Sequence, residues 1–67
     1  MQTKTLVWCS LDLASRIRDR IGERDQTPAE FCRDIGLSPS HFRKWLQIEQ
    51  RMSEGLVDRI MDELNLC

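Results

Sequence analysis

Two complete helix starts stand a few residues apart in the stretch TPAEFCRDIGLSPSHFRKWLQI, residues 27–48, and they constrain the fold more than anything else in the chain. Thr27 is followed three residues later by Glu30, with Pro28 at the first helical position. That pattern predicts a capping box, in which the Thr hydroxyl accepts from the Glu30 amide and the Glu carboxylate accepts from the Thr27 amide. Ser38-Pro39 repeats the signal with a hydroxyl cap and a proline whose missing N–H would have had no helical partner. Leu37 and Phe42 bracket this second start as a hydrophobic staple. Gly36 lies between the helices, where a sharp turn asks for positive φ.

Spacing assigns faces to this helix-turn-helix. Phe31 and Ile35 on the first helix, Leu37 in the turn, and Phe42, Trp45 and Leu46 on the second face inward together. Cys32 occupies the closest approach of the two helices, where a small side chain is required. The opposite stripe of the second helix carries Ser40, Arg43, Lys44 and Gln47, with His41 on its flank. Each can donate a hydrogen bond to a phosphate or a base edge.

At these residues the chain resembles the lambda-repressor-like (Cro/repressor, Xre-type) DNA-binding family. The matching pattern is Thr27, Glu30, Phe31, Cys32, Ile35, Gly36, Leu37, Ser38, Phe42 and Trp45, then Ser53 opening a further helix, and it covers roughly residues 11 to 66. The resemblance implies an all-α, four-helix domain whose second motif helix enters the major groove of duplex DNA. It also implies the contacts: Ser40, Arg43 and Lys44 towards the bases, with Ser38, His41, Gln47, Gln50 and Arg51 towards phosphates. Pro39 at the helix start and Thr27 at the start of the preceding helix complete the set. Two departures stand out. The family often has a phosphate-contacting glutamine where this chain has Pro28, and its Asn-Gly turn after the recognition helix is replaced by Gln47-Ile48. The second change predicts a helix running on to about Glu49.

Sixty-seven residues make one small domain, without the layers that surround a deep active site. Such a chain buries only about 60% of the surface it exposes when unfolded, so a dimer partner adds considerable stability. The formal net charge is −1, but residues 1–52 hold nine Lys/Arg against seven Asp/Glu while 53–67 hold one Arg against four acids. The acidic end can turn away from DNA while the motif faces it, and non-specific affinity is expected to be modest. Cys9, Cys32 and Cys67 are odd in number, far apart and without a histidine partner at ligand spacing, so reduced thiols and no metal are expected. With no spanning run and no secretory leader, the reading is cytoplasmic.

Residues 3–9, TKTLVWC, have strand composition, and residues 1–9 are read as an extended segment preceding a helical domain over 10–67. No second strand-like run offers a partner within the chain. Two outcomes are open: an apolar flap laid on the helices, or an antiparallel pairing with the same segment of a second subunit. Leu6, Val7 and Trp8 are therefore candidate dimer contacts, with Leu64 and Leu66 of the last helix as the other possibility. Ser10 caps a first helix from about Leu11 to Asp25 with Leu13, Ala14, Ile17 and Ile21 inward. Its arginines, Arg16, Arg18, Arg20 and Arg24, alternate with acids and read as a solvated face with pairs such as Asp12–Arg16. Ser53 caps the last helix, whose inner face is Val57, Ile60, Met61 and Leu64.

Catalysis has little support: the acids adjoin arginines on helix faces, His41 lacks a nucleophile, and Cys32 points inward. Phe42 and Trp45 have core spacing rather than that of a base-stacking platform. The resulting expectation is a homodimeric DNA-binding repressor with no cofactor and no small-molecule effector, acting at an inverted-repeat operator. By length it is similar to the short repressors of phages and mobile elements, including anti-CRISPR-associated autorepressors. An antitoxin, or a small adaptor binding a protein through Leu6–Trp8, are the competing readings. Salt-dependent binding to a specific duplex separates adaptor from repressor.

Overall fold

The computed structural model describes residues 5–66; the first residues of the extended segment and Cys67 lie outside them. In chain order the elements are β1 (Leu6–Val7), α1 (Leu11–Glu23), α2 (Pro28–Ile35), α3 (Pro39–Leu46), β2 (Met52–Ser53) and α4 (Glu54–Glu63). Each helix begins on a hydroxyl cap: Ser10, Thr27, Ser38 and Ser53 accept from the amides of Leu13, Glu30, His41 and Leu56. The capping box is closed in both directions, with Thr27 N–H donating to Glu30 Oε1 at 2.8 Å and Glu30 N–H donating to Thr27 Oγ1 at 3.2 Å. Loss of such a cap costs about 1 kcal/mol.

The helices also share one way of stopping. A backbone N–H just beyond each helix donates to a carbonyl five residues earlier: Gln26 to Ile21, Leu37 to Cys32, Glu49 to Lys44 and Leu66 to Met61. This wrap places Asp25, Gly36, Ile48 and Asn65 in left-handed backbone, with φ of 55°, 73°, 61° and 59°. Asp, Gly and Asn tolerate that conformation, whereas a β-branched residue is strained there. Ile48 is held because its side chain is half-buried against the core. The expected continuation to Glu49 is therefore wrong: α3 stops at Leu46, and Gln47-Ile48 makes the left-handed turn without a glycine. Likewise α1 ends at Glu23, two residues short of expectation.

Phe31, Cys32, Phe42 and Trp45 are fully buried, with Ile17 and Ile21 of α1, Met52 of β2 and Ile60 of α4 closing over them. Burying each of the three aromatic side chains contributes about 1.5–3 kcal/mol. The rings touch in sequence, Phe31 to Phe42 at 5.9 Å and Phe42 to Trp45 at 6.4 Å between centroids. Arginines seal two helix ends, where carbonyls lack partners. Arg59 Nη2 donates to the Ile35 carbonyl at 2.9 Å, and Arg24 Nη1 to the Glu63 carbonyl at 3.2 Å while lying over the Phe31 ring. The Asp12–Arg16 pair forms at 3.2 Å on the exposed face of α1.

β1 finds its partner inside the chain, which corrects the expectation of an unpaired strand. Leu6 lies opposite Ser53 and Val7 opposite Met52 in an antiparallel ladder. The connector between α3 and α4 supplies the second strand. Glu54 N–H donates to the carbonyl of Thr5, the residue before β1, at 2.8 Å, so the N-terminal segment also satisfies an amide at the start of α4. The Trp45 indole N–H donates to the Val7 carbonyl at 3.2 Å, pinning the strand to α3 from the core side.

Candidate nucleic-acid interface

The outer face of α3 follows from its inner one. With Phe42, Trp45 and Leu46 buried, the 3.6-residue period turns Ser40, Arg43, Lys44 and Gln47 to the outside, and all four are exposed. Ser38, Pro39, Gln50, Arg51 and Thr27 are exposed as well, while His41 is half-buried. No acidic side chain interrupts α3, and its two cations stand together in its last turn. This surface can offer hydroxyl, amide and guanidinium donors to an anionic partner.

Several of these groups are already engaged. Ser38 Oγ accepts from the His41 amide and Thr27 Oγ1 from the Glu30 amide, which leaves each hydroxyl proton free to donate. The His41 ring donates from Nε2 to the Arg51 carbonyl at 3.1 Å, tying the first turn of α3 to the segment beyond it. Its Nδ1 can then donate to a phosphate only when the ring is protonated. Arg51 lies with its guanidinium 5.8 Å from the Trp8 ring centroid. Arg51 is thus linked both to the first turn of α3 and to Trp8.

The side chains expected at a dimer contact divide. Leu6 and Trp8 are 48% and 58% exposed, and Leu66 is half-buried. Leu64, by contrast, is 3% exposed and belongs to the protomer's own core. Val7 is half-buried on the inner side of the ladder. Leu11, which spacing along α1 did not single out, is 80% exposed.

Cys32 has its thiol pushed up to about 11 by burial, and burial raises Cys9 as well. Neither is an activated thiolate. Among the described residues no group of three or more His, Cys, Asp or Glu is placed to hold a metal ion, and no helix is long and apolar enough to cross a membrane.

A family model described as the Cro/C1-type HTH DNA-binding domain matches residues 16–66, about three quarters of the chain. The chain belongs to this family. It is a DNA-binding transcriptional regulator of helix-turn-helix type. No curated protein and no solved structure gives a significant match.

Proposed function

We propose that this Cro/C1-type domain acts as a homodimeric repressor that binds an inverted-repeat operator, its own promoter included, and excludes polymerase by occupying it. The observation carrying the reading is the exposed Ser40–Arg43–Lys44–Gln47 stripe, rigidly backed by Phe42, Trp45 and Leu46. In this reading α3 enters the major groove with Ser40, Arg43 and Lys44 nearest the bases. Arg43 presents a planar fork suited to the O6 and N7 acceptors of guanine. Ser38, His41, Gln47, Gln50 and Arg51 flank it towards phosphates, with Pro39 and Thr27 at the two helix starts completing the set.

A two-fold partner is supported by the small core and by the exposed Leu6, Trp8 and Leu11. Half-sites are then about one helical turn apart, on the order of 34 Å. Footprinting on the DNA upstream of the protein's own gene tests the operator, and sedimentation of the free and bound protein tests the dimer. Leu6→Asp should weaken self-association while preserving helicity. Dimerisation equal to the parent's moves the contact to the last helix, around Leu66. A monomer both free and on DNA ends the dimeric reading.

A further inference from the structure

Continuing the β1–β2 register by one pair, beyond Leu6–Ser53 and Val7–Met52, sets Trp8 directly across from Arg51. Side chains alternate along a strand, so the inward Val7 and Met52 leave Trp8 and Arg51 together on the outer face. There the Arg51 guanidinium lies 5.8 Å from the Trp8 ring centroid, within cation–π range. The Trp8 ring is 58% exposed and fills no core position.

The backbone around this pair is fixed to α3 from two directions. On one side the Val7 carbonyl, adjacent to Trp8, accepts from the Trp45 indole at 3.2 Å. On the other the Arg51 carbonyl accepts from His41 Nε2 at 3.1 Å. Both donors belong to α3, so the pair keeps its place relative to that helix. A cation–π contact is made through the charge and not through a hydrogen-bond acceptor, so the guanidinium keeps N–H donors for other partners. An unrestrained surface arginine must instead surrender rotamer freedom on meeting a phosphate.

We propose that Trp8 is a positioning residue for DNA binding: its ring holds the Arg51 guanidinium beside α3, with its donors outward, where it meets a backbone phosphate. This rests on the reading that α3 docks in the major groove with Arg51 towards the backbone. It gives the N-terminal strand a part in DNA affinity that is separate from any part in self-association.

A phosphate contact is independent of sequence, so no operator is needed to test it. The probe is a mixed-sequence duplex short enough to seat one protomer, titrated over several salt concentrations with protein below its self-association range. Arg51→Ala should weaken binding and reduce the slope of log affinity against log salt by about one. Trp8→Ala should weaken binding about two- to fivefold in the parent background and leave it unchanged in the Arg51→Ala background. Trp8→Phe, which keeps a ring face, should retain most of the parent's affinity. Circular dichroism of each variant confirms the helical fold. Equal losses from Trp8→Ala in both backgrounds overturn the proposal, as does no loss in either while Arg51→Ala still weakens binding. The latter result leaves Trp8 to the dimer surface. If Arg51→Ala binds like the parent, the docking reading itself fails and takes this inference with it.

Discussion

Trp45→Phe isolates the bond between α3 and the N-terminal strand. Trp45 is fully buried, and its indole N–H is the donor to the Val7 carbonyl at 3.2 Å. Phenylalanine keeps an aromatic ring against Phe42 but removes that donor and leaves the carbonyl short of a partner. The net hydrogen-bond loss is about 1 kcal/mol, with a further fraction where the carbonyl stays shielded from water. The smaller ring leaves a void of roughly 40 Å³, which at about 24 cal/mol per Å³ adds about 1 kcal/mol. The sum, about 2–3 kcal/mol, is a large share of the roughly 3–10 kcal/mol that a domain of this size commands. Urea unfolding followed by far-UV circular dichroism reads it directly, and the thermal midpoint should fall by roughly 10–20 °C. Detachment of β1 should also speed hydrogen exchange at the Glu54 amide, which donates to the Thr5 carbonyl. Trp8→Phe is the control, because that ring is 58% exposed. A Trp45→Phe midpoint within about 2 °C of the parent's would refute the reasoning.

Two further perturbations probe the scaffold. Gly36 has φ 73° and a Cβ built there meets no atom within 4 Å, so Gly36→Ala is opposed by backbone strain alone. Left-handed strain of about 1–2 kcal/mol, less about 0.4–1 from the stiffer unfolded chain, predicts a net loss of roughly 0.5–1.5 kcal/mol by urea titration. A stabilised variant contradicts the turn geometry. The Cys32 thiol, pushed up to about 11, keeps its proton in the fold at pH values where the unfolded chain releases it. Its contribution is therefore complete below about pH 9 and lost as pH rises towards about 11, on the order of 2 kcal/mol across that window. Cys32→Ala should flatten that alkaline decline, and a decline unchanged by the substitution assigns it elsewhere.

The parts of the fold that were legible are those specified by neighbours in sequence. Thr27, Glu30, Ser38 and Ser53 announce their helices because a cap bonds only a few residues away. Phe31, Phe42 and Trp45 announce the core because one helical period places them together. The β1–β2 ladder was not legible: Met52-Ser53 has no strand composition, and only the return of the chain over α3 brings it beside Leu6-Val7. The end of α3 was hidden for a related reason. Ile48 violates the local preference for Gly or Asn in left-handed backbone, and the core contact that offsets this is tertiary. At the interface, the exposed stripe of α3 could be read from spacing. The linking of His41 and Trp8 to Arg51 could not, since it depends on the ladder's register.

If α3 reads base sequence, Arg43 is the side chain that should carry the discrimination. Parent and Arg43→Ala proteins should be titrated against the footprinted upstream duplex and a scrambled duplex at several salt concentrations. The parent should prefer the upstream duplex. Arg43→Ala should lose about 1–3 kcal/mol on it, with relaxed discrimination at one base position per half-site and a much smaller change on the scrambled one. An Arg43→Ala protein that binds both duplexes as the parent does contradicts the docking of this helix.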